Sequence, residues 1–237
     1  ASITGGNYGL FGGRAVISGP IVQDKLLARV VAFKQSHDGY VDNIILHRSA
    51  GDLDEWGGRL SLRWNAGDDT TVDLIAHYSE SKTAPVTVMI TMPAPQDLDF
   101  MLATSPPGTN FVTTNAPFKI AEDKIGEGKT TDLGINMTVE SKLGDITLKS
   151  ISGFTKSTVN FVAGADGFNI PFITLDPRHD VSQSFSQEIT FSGDNDFIQW
   201  TVGGFAFFEK YNVEFRFPFP NLGVTQQFTA DPEKTQS

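Results

Sequence analysis

His37, Asp38, Asp42 and His47 fall within one short stretch and combine the imidazole and carboxylate groups that suit a divalent cation. The same residue types also make an ordinary solvated loop, the commoner outcome, and no metal is assigned to them. His179 with Asp176 and Asp180 repeats the pattern more weakly. Asp194, Asn195 and Asp196 lack the ligand ladder and terminal Glu of a calcium loop, so they are expected to form a turn. No nucleophile elbow, phosphate loop or dinucleotide fingerprint is present, and Gly5, Gly6, Gly9, Gly12 and Gly13 lead into a strand, not a helix. Catalytic, cofactor-binding and metal-binding residues are therefore all assigned as none, and the chain reads as a non-enzyme. Asn136-Met137-Thr138 matches a glycosylation sequon but falls inside a predicted strand, and it is taken as chance.

Two other sets of side chains carry more information. Phe100, Phe111, Phe118, Phe168, Phe215 and Phe217, with Phe172 and Phe219, lie in predicted loops, where they could form an apolar platform for a small ligand or simply pack those loops. Arg29, Arg59, Arg63, Asp73, His77, Asn136, Glu140, Lys149 and Glu188 occupy the polar positions of alternating segments, and one face is expected to collect them.

Bulk properties exclude several classes. The 237 residues carry 18 Lys plus Arg against 28 Asp plus Glu, a formal charge of −10, which is the wrong sign for a phosphate-backbone binder. Nucleic acid is thus not an expected partner. Zero cysteine removes disulfides and thiolate chemistry and fits any compartment. A hydrophobic fraction of 39% argues for a folded chain, and Pro106, Pro107, Gly108 and Pro117 interrupt the long uncharged run from Phe100 to Phe118, so no helical membrane span is predicted.

The elements that would position these residues are strands. Leu60, Leu62 and Trp64 alternate with Arg59, Ser61 and Arg63; Val72, Leu74, Ala76 and Tyr78 oppose Asp73, His77 and Ser79; Leu133, Ile135, Met137 and Val139 face away from Asp132, Gly134, Asn136, Thr138 and Glu140. Weaker alternation covers 25–36, 146–160, 185–192 and 198–213, with a shorter candidate at 14–18. Short turns at 20–24, 65–69, 143–145 and 193–196 alternate with long connections at 37–55, 82–130 and 161–184 and an open tail from 214. The pattern predicts an all-β chain, an antiparallel up-and-down meander of about eight strands with no helix longer than two turns. Short turns on one side and long loops on the other favour a partial transmembrane β-barrel. Trp64 and Trp200, each beside a short turn, are placed as in a membrane-interface girdle. The alternative is a secreted soluble β-sandwich acting as an adhesion or carbohydrate-binding module. It would bury Leu60, Leu62, Leu133, Ile135 and Val139 against a second sheet.

The run GGNYGLFGGRAVISGPIVQDKLLARVVAFKQSHDGYVDN, from Gly5 to Asn43, resembles the N-terminal part of the barrel of a TonB-dependent outer-membrane receptor. The later runs GGRLSLRWNAGDDTTVDLIAHYSES, SISGF and SQEITFSGDNDFIQWTVGGFAFFEKY are similar to the middle of such barrels. The resemblance implies a 22-stranded barrel around a globular plug, in the outer membrane of a Gram-negative bacterium, that imports a ferric siderophore, cobalamin or a carbohydrate. It also implies as partners the outer-membrane lipid, the plug and the remainder of the barrel, the imported ligand and an inner-membrane energy-transducing complex. Residues 1–237 are expected to be a single segment of such a barrel, a fragment without the plug and ending in a loop. The connection 82–130 is expected to act as a lid, and Ile135 to lie near the bilayer midplane.

Overall fold

A computed structural model describes the backbone of residues 1–86, 95–164, 167–194 and 197–236, and the side chains of all these except 221 and 230–236. Along the chain run β1 (Ser2–Gly5), β2 (Phe11–Val22), β3 (Leu26–His37), β4 (Val41–Asn43), β5 (Arg48–Ala50), β6 (Leu53–Asn65) and β7 (Thr70–Thr83). A helix, α1 (Pro95–Thr104), is followed by β8 (Lys119–Ile120), β9 (Glu127–Leu143), β10 (Ile146–Gly164), β11 (Thr174–Asp194), β12 (Gln199–Phe219) and β13 (Val224–Gln236). Ten of the strands form one sheet in the order β1-β2-β3-β6-β7-β9-β10-β11-β12-β13, every neighbouring pair antiparallel. The other three make a small sheet, β5-β4-β8, outside the wall.

All eight predicted strands are present, and the fold is the expected antiparallel meander. Four details differ. β1 and β13 extend the wall to ten strands, so the stretch from 214, read as an unfinished loop, continues as strand. The connection 161–184 shrinks to 165–173, because β10 and β11 run on past the apolar positions that revealed them. The connection 37–55 contains β4 and β5. Finally, α1 has ten residues, nearly three turns at 3.6 residues per turn, and exceeds the expected limit of two. Of the residues predicted to form the turn after β11, Asn195 and Asp196 lie outside the described residues.

The register sorts the side chains cleanly. On the apolar face, Trp64, Val72 and Val139 stand in one row across β6, β7 and β9, and Leu60, Ala76, Ile135, Phe154, Phe185 and Phe208 in another from β6 to β12. Leu60 and Ile135 are 37% and 41% exposed, and among the described residues the two buried apolar clusters are both made of connection residues. Among the described residues no second sheet covers this face, so the sandwich alternative fails on the side chains chosen to test it. At about 3.4 Å per residue in a strand tilted about 40°, Leu143 to Leu133 on β9 spans about 26 Å, close to the apolar height of a membrane barrel. By that measure Met137 lies nearer the middle of the band than Ile135, which sits one position from its upper end.

Aromatic residues mark both edges of the band. Trp64 and Trp200 lie at the short-turn edge as expected, and Trp56 and Tyr78, 5.4 Å apart between ring centroids, lie at the other. One polar interruption falls within the band: Ser150, Ser152 and Gln187. It is closed on itself, since the Ser152 hydroxyl donates to Gln187 Oε1 at 2.6 Å and Gln187 Nε2 donates to Ser150 Oγ at 2.9 Å. Such internal pairing is what the expected lipid-facing side would require. At the short-turn end, Leu143 pairs with Ile146 across Gly144 and Asp145, with Gly144 at φ 68°, a conformation glycine enters without the penalty a side chain imposes.

Candidate functional site

The opposite face of the wall is polar. Arg29, Arg59, Arg63, Asp73, His77, Asn136, Glu140, Lys149 and Glu188 all fall on it, as the alternation predicts. Two concavities open there, one of about 530 Å³ lined by Ser18, Arg29, Ser61, Arg63, Asp73 and Thr138, and one of about 400 Å³ lined by Arg14, Phe33, Arg59, His77 and Ser79. The polar face is therefore the hollow side. Arg63 grips Asp73 with two hydrogen bonds of 2.7 Å, and His77 Nε2 lies 2.9 Å from Asp132 Oδ1. The His77 ring lies over Gly134, directly opposite on β9, where a Cβ would fall 2.1 Å from the ring.

Toward the long-connection end, this hollow face turns aromatic. Phe161, Arg178, Phe215 and Phe228 stand directly opposite one another on β10 to β13. Phe215 stacks on Phe228 with centroids 4.9 Å apart, and Phe217 meets both edge-on at 5.5 and 6.1 Å. Arg178 donates through Nε and Nη2 to Asp180 Oδ2 at 2.8 and 2.7 Å. This pairing, beyond the apolar band, raises the guanidinium pKa, the hydrogen bond to Asp180 being the largest cause. The other Asp180 oxygen is buried and has no hydrogen-bond partner among the described residues. Rings beside a guanidinium fixed by a buried carboxylate make a surface that can hold flat, partly polar ligands.

Three connections join into a cap, which meets the end of this face where Phe172 contacts Phe219. The small sheet joins residues 41–50 to 119–120, with β4 and β8 parallel. Asn43, 1% exposed, is its clasp: Nδ2 donates to the Glu122 carbonyl at 2.8 Å, while Oδ1 accepts from the backbone of Ile45 and Leu46 at 2.9 and 3.2 Å. Asp123 N donates to the Phe168 carbonyl at 2.9 Å, which binds the third connection to the other two, and Lys124 pairs with Asp176 of β11 at 2.5 Å, which fastens the cap to the wall. Asn169 holds residues 110–112 from its side, accepting from Val112 N and donating to the Asn110 carbonyl, each at 2.8 Å. Beneath α1, Met101, Phe168 and Ile170 form a small buried core with Phe111 and Phe172 against it.

The predicted aromatics thus separate. Phe111 and Phe168, 5.5 Å apart, pack the cap, and Phe168 is only 7% exposed. Phe100 meets Phe172 at 5.8 Å, and Phe172 meets Phe219 at 6.3 Å, a chain of rings leading from α1 to the hollow face. Phe215 and Phe217 lie on that face itself. Phe118 stands apart, 6.5 Å from Tyr40 and 62% exposed. Phe161, Arg178, Asp180 as the buried partner of Arg178, and Phe228 were missed. Their one local signal is β-period spacing in segments with no apolar side. The suspected metal clusters disperse: the Asp42 carboxylate accepts from Ser49 at 3.0 Å, His179 Nδ1 lies 2.6 Å from Asn160 Oδ1 on the outer face, and Asp180 faces inward. Among the described residues no three His, Cys, Asp or Glu side chains are grouped to hold a metal ion.

No family model and no curated protein matches the chain. Solved structures do. The ferric yersiniabactin uptake receptor FyuA from Yersinia pestis superposes with a TM-score of 0.69 at 14% identity, over 97% of this chain and 33% of its own. The ferripyoverdine receptor of the outer membrane of Pseudomonas aeruginosa, bound to ferripyoverdine, gives 0.68 at 13% identity, over 99% and 32%. The siderophore receptor PiuA from Acinetobacter baumannii gives 0.59 at 12%, over 98% and 37%. The chain spans about a third of the length of these proteins. At such identities the likeness is one of architecture, and it agrees with the resemblance carried by the sequence motifs: the chain has the fold of a segment of such a receptor's strand wall.

Proposed function

We propose that this chain supplies wall strands and external loops to a TonB-dependent outer-membrane receptor that imports a ferric siderophore. Residues 1–237 are read as one segment of the barrel, with the plug, the remaining strands and the contact to the inner-membrane energy-transducing complex supplied by the rest of the full-length receptor. The observation that carries the reading is the line of rings from α1 through Phe172 and Phe219 to the Phe215–Phe217–Phe228 cluster beside Arg178. It joins a loop cap to an inward-facing surface, the arrangement a receptor needs to hold a bound ligand before passing it inward. Two further facts support siderophores over cobalamin or carbohydrate: the matched structures are siderophore receptors, and the clustered phenylalanines beside Arg178 suit the aromatic, hydrogen-bonding groups of a chelator.

The test uses the full-length receptor in cells deprived of iron. Uptake of a panel of radio-iron complexes, catecholate, hydroxamate and carboxylate, is compared between wild type and the F215A/F217A/R178A variant. Loss of uptake of one complex, with normal amounts of folded receptor in the outer membrane, is the expected result. Unchanged uptake of every complex that the wild type imports would refute the assignment of this surface.

A further inference from the structure

We propose that the outer face of β10, β11 and β12 binds the phosphate-bearing headgroup of a membrane lipid, with Lys156 and Lys210 as its cationic contacts and Gln183 between them. The inference rests on the membrane placement proposed above. Phe154, Phe185 and Phe208 stand directly opposite one another on these three strands, and the next outward position on each strand gives Lys156, Gln183 and Lys210, again directly opposite. On β10, β11 and β12 the three rings end the apolar band, one row below its upper end at Leu133 on β9, and Phe185 and Phe208 are 44% and 47% exposed. A lipid lying against the wall therefore has acyl chains on the phenylalanine row and its headgroup on the lysine row.

The charge on this row is uncompensated. Elsewhere along the same edge the cations are neutralised: Lys34 pairs with Asp54 at 3.0 Å, and Lys82 and Lys129 share Glu80 at 3.2 and 2.9 Å. Lys156 and Lys210 are exposed and have no ion-pair or hydrogen-bond partner among the described residues. On the row beyond them Thr158, Val181 and Asn212 are uncharged, and the carboxylate farther along that row, Glu80, two strands from Thr158, is engaged by Lys82 and Lys129. In a chain of net charge −10, two free ammonium groups at one height on the outer wall are a local reversal of sign. Strands about 4.8 Å apart place the two lysine backbones about 10 Å apart, a gap that two flexible stems can close around phosphate oxygens while the Gln183 amide donates from between. The face is open, without walls or a backbone N–H cradle, so a soluble anion would gain little there. A phosphate tethered to acyl chains is held at the right height by the phenylalanines.

The experiment uses the full-length receptor reconstituted in vesicles of phosphatidylcholine, with and without lipid A as the phosphorylated probe. It compares wild type, K156Q/K210Q and the charge-conserving K156R/K210R. Insertion is scored by the heat-dependent gel shift of folded barrels, and lipid A retained after detergent extraction is measured by mass spectrometry. Wild type and K156R/K210R are expected to retain lipid A, and K156Q/K210Q to bind it about 30-fold more weakly, from about tenfold per 1.4 kcal/mol and about 1 kcal/mol per surface cation. Equal retention by all three forms, equal retention of dephosphorylated lipid A, or displacement by inorganic phosphate would each overturn the site. Failure of the wild type to insert into phosphatidylcholine alone would instead overturn the membrane reading, and the lipid site with it.

Discussion

Consider arginine placed at two successive positions of β9, Met137→Arg and Asn136→Arg. Met137 is 40% exposed on the apolar face, opposite Leu74 and Ser152, and Asn136 points to the hollow side opposite Ile75 and Gly153. Six residue steps from Leu143, at about 3.4 Å each and a tilt of about 40°, put Met137 about 16 Å into a band about 26 Å high, close to its midplane. Arginine there should cost about 2–4 kcal/mol, whereas at Asn136 the guanidinium would reach water and cost little. Ile135→Arg, only about 5 Å from the upper edge, should cost less than Met137→Arg, because the penalty falls toward the interface. The assay is reversible urea unfolding of the full-length receptor from phosphatidylcholine vesicles, with the free energy extrapolated to water. Equal costs at 136 and 137, or a larger cost at 136, would refute both the facing and the membrane placement.

Two further predictions concern the cap and the hollow face. Asn43→Ala removes three hydrogen bonds from a residue 1% exposed and strips the Glu122 carbonyl of its side-chain donor, so it should loosen the cap by about 2–3 kcal/mol. Amide exchange at residues 45, 46 and 119–123 should accelerate while β9–β12 stay protected, and unchanged exchange would show that the clasp is redundant. Gly134→Ala pushes the His77 ring off its seat and breaks its contact with Asp132, costing about 1 kcal/mol in the wild type but nothing in a His77→Ala background. The same cost in both backgrounds would sink that account.

How far the sequence revealed this structure depended on where water lies. In the membrane placement proposed above, one side of each strand within the apolar band meets lipid and the other the wet hollow, and Leu133, Ile135, Met137 and Val139 alternate visibly against their polar neighbours. Beyond the band both faces meet water, and the pattern disappears although the backbone ladder continues. That is why residues 174–184 of β11 and all of β13 looked like loop, and why Arg178 and Phe228 were overlooked. The helix α1 buries only Met101, too little apolar repetition to stand out in a segment rich in Pro and Thr. The partners within the cap lie far apart in sequence, Phe111 with Phe168 and Asn43 with Glu122. No local spacing encodes such pairs, so composition exposed the aromatics without showing which of them would pack the cap and which would line the hollow face.

The parallel pairing of β4 with β8 bears on the order of assembly. Closing the 77 positions between Asp42 and Lys119 in a free chain would cost about 4 kcal/mol in entropy, with only a few backbone bonds to offset it. Once β3, β6, β7 and β9 are paired, their ends hold the same segments side by side and most of that search is over. The β6–β7 and β9–β10 hairpins are local, whereas the β7–β9 pairing itself closes at least the 45 positions from Thr83 to Gly128, so the clasp is favoured chiefly once that pairing is in place. A register slip by one residue in β6 or β7 would displace the anchor points of both connections. Protection of the cap against protease would then serve as a kinetic proofreading signal for the wall, appearing last and only on chains whose strands are correctly aligned.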